Sequence, residues 1–421
     1  MNVALGVEYR RDTYAIGAGV PISYIDGGAQ AYPGFTPTDA GVHARRNDAV
    51  YIDFAADPID HLRIDAAVRH EHYSDFGNAT VGKLTARYDL TPRFALRGTV
   101  SNGFRAPTLA EEYFSATNVL SNAATVQLPP NSPGGKLLGL GNGLRAEHSV
   151  NLSFGLVWRP ARGVDATLDV YQITITNRIV ATGDLAGTLN GVAQPSAPAV
   201  NAAIAANGNQ LDPAVVAHGT TSVALFANGI DTRTRGADLL FALPRDYTFG
   251  RIDWSVGAEL NQTVITRIPG TPAQLVGLTL YNATALADLT TANQKYVVNL
   301  GALWTSGKAS INVLEKIYGP SSEWEYDNAD NPQNVLLPFK SSIGVTAITN
   351  VDMGYRLTDH VRVDVGALNV FDRYPNKLNG VLLSHYDNPA YNDNLGVQQY
   401  PSFSPFGIDG GFYYLRATFA F

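Results

Sequence analysis

The 421-residue sequence has no cysteine and only two methionines and four tryptophans. It also has no run near the roughly 18 consecutive apolar residues of a membrane-spanning helix. The missing cysteines exclude a disulfide framework, a thiolate metal site and a cysteine nucleophile. A mean hydropathy of -0.05 is too polar for a bundle of membrane helices. Charge is scarce too: Asp, Glu, Lys and Arg make up 16% of the residues, against about 25% in an average soluble domain. The net charge of -7 and the lack of a long basic cluster argue against nucleic acid as a partner. There is no Gly-X-Ser-X-Gly elbow or other nucleophile setting, so the chain does not read as an enzyme, and no cofactor is implied. No basic region, apolar core and cleavage site open the sequence; Met1-Asn2-Val3-Ala4-Leu5 runs straight into alternation. That start is expected of a chain that is not exported, or of the carboxy-terminal part of a longer one.

What the sequence does have is glycine (40), tyrosine (21) and phenylalanine (17), arranged with a period of two. The final stretch, 412–421, puts Tyr413, Leu415, Ala417, Phe419 and Phe421 on one face and smaller or more polar residues on the other. The same alternation recurs in paired segments, beginning with 48–57 and 60–73 about the turn Asp57-Pro58-Ile59-Asp60, then 80–90 and 94–103 about Thr91-Pro92-Arg93. Further pairs are 150–158 with 164–176, 233–243 with 251–262 about a turn near Pro244, 296–304 with 308–318, and 345–357 with 361–371. With a first strand from Asn2 to about Tyr14, the count is about 14 strands. Tight turns alternate with long Gly/Pro/Asn/Ala-rich segments at 17–47, 104–147, 178–230, 267–294, 319–344 and 372–411, and on that side only 74–79 is short. Short turns on one rim and long loops on the other are the pattern of an antiparallel up-and-down transmembrane β-barrel. One barrel domain spanning 1–421 is therefore expected. Tyr51, Tyr88, Trp158 and Trp254 at strand ends read as its interfacial girdle.

Three internal stretches carry a resemblance beyond architecture. Gly103-Phe104-Arg105-Ala106-Pro107 resembles the GFRAP segment of TonB-dependent outer-membrane receptors. Gly141-Asn142-Gly143-Leu144-Arg145-Ala146-Glu147-His148-Ser149 resembles that family's entry into the next strand, with Gly143 and Ala146 where proline is usual. Asn369-Val370-Phe371-Asp372-Arg373-Tyr374-Pro375 resembles its NLFD-YP signature, and the terminal Phe421 makes a fourth match in family order. The resemblance implies a location in the outer membrane of a Gram-negative bacterium, in contact with outer-membrane lipid. It also implies a barrel of about 22 strands preceded by a plug that contacts the TonB complex. The present strands would then be an incomplete part of that barrel, with no plug in this chain. Tyr413, Leu415, Phe419 and Phe421 are the expected signal to the barrel-assembly machinery.

The implied function is TonB-dependent uptake of a scarce nutrient such as a metal–siderophore complex, cobalamin or an oligosaccharide. The alternative is a passive, unplugged diffusion channel. Candidate ligand-binding residues lie in the outer loops: Arg105, Tyr113, Trp324, Tyr326, Tyr386, Tyr391, Tyr400 and Phe403. Aromatic side chains in long polar loops are costly to leave in water, so they pack or bind. A guanidinium just past a strand end suits an anionic ligand, although bracing against Glu111 or Glu112 is an equal reading of Arg105. In His70-Glu71-His72 both imidazoles share one face of a strand and the carboxylate takes the other, which argues against metal capture.

Overall fold

The computed structural model describes residues 1–24, 34–120, 123–211, 213–327, 337–378, 380 and 399–420. The chain opens with β1 (Asn2–Ile16), β2 (Gly41–Ile59), β3 (Leu62–Tyr73), β4 (Gly77–Thr91) and β5 (Phe94–Arg105), each antiparallel to the next. It leaves this sheet through β6 (Ala116–Leu120) and β7 (Ala123–Gln127) and returns as β8 (Glu147–Trp158) and β9 (Asp165–Ala181). A second excursion forms β10 (Leu185–Leu189), β11 (Val192–Ala193) and β12 (Thr220–Ala224). The wall resumes with β13 (Phe226–Tyr247), β14 (Gly250–Arg267), β15 (Tyr296–Ser306) and β16 (Ala309–Tyr318). A hairpin of β17 (Ser321–Asp327) and β18 (Leu337–Ile343) then leads to β19 (Thr346–Arg356), β20 (Val361–Leu368) and β21 (Phe412–Phe419). Fourteen of these strands make one antiparallel sheet in chain order, as the alternation predicts. The sheet is not closed: among the described residues β1 pairs only with β2, and β21 only with β20.

Antiparallel order puts every second connection on the same rim. The connections at 60–61, 92–93, 159–164, 248–249, 307–308 and 357–360 share one rim, and the long segments share the other. One expected turn moves. The strand passes through Pro244 to Tyr247 because β9 begins only at Asp165, opposite Ala242, leaving one edge of β13 unpaired where proline lacks its N–H.

Register fixes the two faces. Leu5, Ile52 and Val68 lie in one row, and they remain 73%, 47% and 50% exposed. Water would penalise such a row, whereas lipid would not. Tyr413, Leu415 and Phe419 end the same face at 63%, 74% and 61% exposure; Phe421 lies outside the described residues. The other face is laced with charge pairs: Lys83 Nζ to Asp65 at 2.7 Å, Arg97 Nε to Asp169 at 2.8 Å, and Arg362 Nε to Asp364 at 2.7 Å. Tyr51 belongs to this polar face rather than to the girdle, because it alternates with the outward Val50 and Ile52. Its ring covers Gly6, where a Cβ would lie 2.2 Å from the ring. Tyr88, Trp158 and Trp254 do point outward near the short-turn rim.

The long segments fold, which their composition did not suggest. A five-stranded sheet, β11-β10-β12-β7-β6, stands above the long-loop rim, with β12 and β7 parallel. Helices α2 (Pro133–Leu137) and α3 (Ala197–Ala206) cover it. Val126, Leu128, Val200, Val223 and Leu225 are fully buried between them, joined by Leu275, Leu280 and Tyr281 from the β14–β15 segment. Three separate excursions thus share one apolar core and form a cap. Burial pushes the Tyr281 hydroxyl up to about 12, and it donates to the Ala227 carbonyl at 3.2 Å. No helix among the described residues is long and apolar enough to cross a membrane.

Candidate ligand-binding face

Where β5 ends, Arg105 faces Glu147, the first residue of β8. The guanidinium forks onto the carboxylate, Nε to Oε2 at 3.0 Å and Nη2 to Oε1 at 2.9 Å, while Nη1 donates to both oxygens of Glu111 at 2.9 Å. Glu111 belongs to α1 (Leu109–Tyr113), whose start is a capping box: the Glu111 amide donates to Thr108 Oγ1 at 3.1 Å and the Thr108 amide to Glu111 at 2.7 Å. Glu147 also accepts from the Ile179 amide at 2.7 Å. Arg105 therefore braces β5, α1, β8 and β9. Its charge is met by two carboxylates, which matches the bracing reading of this residue.

Tyr113, at the end of α1, stacks on His43 with ring centroids 3.8 Å apart and an interplanar angle of 5°. Beside it lies a polar cavity of about 170 Å³ lined by Asp75, Glu112, Tyr113, Asn131, Asn142 and Leu144. Burial, and then the neighbouring Asp75, push the Glu112 carboxyl up to about 7, with Arg45 opposing the shift. Arg45 is itself 6% exposed. It donates to the Pro107 carbonyl at 2.6 Å and lies 3.5 Å from both Asp75 and Asp12.

The other candidates scatter along the long-loop rim. Trp324 is half-buried in β17, where its carbonyl accepts the Thr284 hydroxyl, and Tyr326 lies in the same strand opposite Pro338. Tyr400 stacks on Tyr374 at 5.5 Å. Phe403 is half-buried next to Ser404, whose hydroxyl donates to the Gly407 carbonyl at 2.8 Å. Tyr386 and Tyr391 lie outside the described residues. The structure brings Arg105 and Tyr113 onto one short helix and its neighbours, and Trp324 with Tyr326 onto one hairpin.

The profile of the TonB dependent receptor-like β-barrel matches residues 1–370. The chain belongs to the TonB-dependent receptor family. Within it, the chain is 22% identical over 347 residues to the probable TonB-dependent siderophore receptor PirA of Acinetobacter baumannii, covering 81% of this chain and 41% of that protein. Among solved structures, a mutant of the ferric enterobactin receptor PfeA of Pseudomonas aeruginosa superposes with a TM-score of 0.63 at 15% identity, covering 100% of this chain and 51% of that one. PirA of Acinetobacter baumannii gives 0.61 at 16% identity, covering 100% and 52%. The chain thus spans about half the length of these relatives, and the structural likeness speaks to the fold. These relatives are receptors, and no enzyme activity attaches to the family match.

Two residues of the rim, His43 and Glu147, had no site role in the sequence reading, and Glu112 entered it only as an alternative brace for Arg105. Glu147 had a usable signal, since Arg105 and Glu147 fall within the two stretches that carry the family resemblance. His43 had none, because its stacking partner is 70 residues away and depends on where α1 docks.

Proposed function

We propose that this chain is the wall and outer cap of an outer-membrane receptor that takes up a metal–siderophore complex by a TonB-dependent route. The observation that carries the reading is the family match over the wall, together with siderophore receptors among its relatives. TonB would act through a plug outside these residues. Ligand contacts are assigned to the long-loop rim, at Tyr113, Trp324, Tyr326, Tyr386, Tyr391, Tyr400 and Phe403, with Arg105 positioning α1. Tyr413, Leu415, Phe419 and Phe421 are assigned to recognition by the barrel-assembly machinery. Deleting Phe421 should then lower the amount of heat-modifiable protein in the membrane without changing ligand affinity. The unpaired β1 and β21 favour the receptor over a pore built from these strands alone.

The test is accumulation of radioactive iron by cells that lack their own siderophore receptors and express the full-length protein. Supplied with catecholate or hydroxamate siderophores, these cells should accumulate iron only when TonB is intact. Uptake of cobalamin or malto-oligosaccharide instead, or iron entry that persists without TonB, would reject the siderophore reading.

A further inference from the structure

Glu315 of β16 lies directly opposite Leu300 of β15 on one side and Thr349 of β19 on the other. Leu300 belongs to the outward face of the wall, with Trp304 four residues nearer the short-turn rim and Tyr296 four residues nearer the long-loop rim. Four residues of strand rise about 13 Å, or about 10 Å across the bilayer for a strand tilted by about 40°. Glu315 is therefore outward, midway between two aromatic levels and at the centre of an apolar band about 25 Å tall.

Its surroundings offer no counter-charge. Leu300, Val313 and Met353 on the same face are 42%, 36% and 52% exposed. The row through Glu315 continues along the sheet to Val256 and Phe241, and the rows above and below it are wholly apolar. Among the described residues its one hydrogen-bond partner is Thr349, whose hydroxyl donates to the carboxylate. The charged side chains of the polar face differ in this respect, since Arg97 meets Asp169 there and Arg362 meets Asp364.

We propose that this patch docks a transmembrane segment of a different membrane protein, one that brings a guanidinium or ammonium group to Glu315 at the middle of the bilayer. An ionisable group in hydrocarbon is costly and faces a partner. Lipid headgroups lie about 10 Å away at either interface and acyl chains carry no hydrogen-bond donor, so the donor comes from a side chain on a spanning segment. A second copy of this chain does not supply it, because the outward Arg11, Arg46 and Arg235 lie toward the long-loop rim. Ala302 and Ala347, in the rows flanking Glu315, keep the wall low and let a partner approach closely. The proposal rests on the membrane reading of the wall but not on what the receptor transports.

The test is fluorescence energy transfer in liposomes between the full-length protein, labelled at Thr358→Cys, and leucine-rich transmembrane peptides with arginine, glutamine or leucine at their centre. The arginine peptide should associate at least about tenfold more tightly than the leucine peptide, with glutamine between them. Glu315→Gln should erase that preference, whereas Glu315→Asp should keep most of it. Moving the arginine from the centre of the peptide to one end should erase it in the wild-type protein as well. Equal association of the three peptides with the wild-type protein overturns the proposal without recourse to any variant. So does an arginine preference that survives Glu315→Gln or the move to the peptide end. Iron uptake can fail while peptide association holds, so the two readings fail separately.

Discussion

Arg105 and Glu147 stand directly opposite each other at the outer ends of β5 and β8, joined by two charge-assisted hydrogen bonds of 3.0 and 2.9 Å. Glu147 is 8% exposed, so removing the guanidinium leaves a buried carboxylate with only the Ile179 amide to satisfy it. A buried pair broken on one side costs about 3–5 kcal/mol. The Arg105 side chain is 42% exposed, which reduces the expectation for Arg105→Ala to about 2 kcal/mol. Lysine should recover less than half, because it cannot fork onto the carboxylate. The readout is the temperature at which the folded, fast-migrating band disappears on gels. If the losses from Arg105→Ala and Glu147→Ala add fully in the double variant, the two side chains are not coupled and this account is wrong.

Strand order places 193 and 358 on opposite rims. Ala193→Cys in β11 and Thr358→Cys in the β19–β20 turn are both exposed sites. On intact cells, a membrane-impermeant maleimide should label the first and spare the second, with both labelled after lysis. Labelling only at 358 on intact cells would invert the topology.

The wall was legible in the sequence because its physical cause is local. Leu62, Ile64, Ala66 and Val68 on one face, against Arg63, Asp65 and Arg69 on the other, write the lipid–lumen boundary directly into β3. The cap was not legible, for the opposite reason. Its strands are two to five residues long, too short for a period to emerge, and β12 pairs with β7 across nearly a hundred residues. Its core, from Val126 to Tyr281, comes from three excursions whose alanine- and glycine-rich composition reads as loop. Gly134 lies so close to the Ala203 carbonyl that a Cβ would sit 2.6 Å from it. Small residues here permit close packing rather than flexibility. The rim site was half legible: Arg105 and Tyr113 stood out by type and place, whereas His43 and Glu112 acquire roles only through the docking of α1.

Because the cap has its own core, it should melt apart from the wall. Leu225 is fully buried within it, and Leu225→Ala should cost the cap about 3 kcal/mol. Hydrogen exchange should then accelerate across β7, β10 and β12 while β14 and β15 stay protected. Equal acceleration in wall and cap would mean that the two form one cooperative unit.

Glu112 gives the rim a dependence on pH. Its folded pKa, about 7, lies above the ordinary carboxyl value of 4.5, so the folded state holds the proton more tightly than the unfolded state does. The contribution is fully present below pH 4.5 and is lost as pH rises through 7, when charge develops next to Asp75 in a buried setting. After correction for intrinsic rates, α1 amides should exchange faster at pH 8 than at pH 5.5. Glu112→Gln should abolish the difference, and its persistence in that variant would assign the effect to another group.

The free edges of the wall make the last prediction. Each backbone group left unpaired in lipid costs several kcal/mol, and β1 and β21 each offer one unpaired edge. Closing the sheet on itself would set Val3, Leu5 and Val7 against Leu415, Ala417 and Phe419, yet among the described residues no such pairing occurs. Among the described residues the 14 wall strands leave β1 and β21 at the two ends of the sheet, and the relatives are about twice as long. Residues 1–421 folded alone in detergent should therefore exchange the outer-edge amides of β1 and β21 within seconds to minutes and associate through them. The same amides in the full-length protein should be protected as well as those of β14. Slow exchange at both edges of the isolated chain, with steady conductance across a bilayer, would mean that the wall closes without further strands, and the passive-channel reading would replace the receptor.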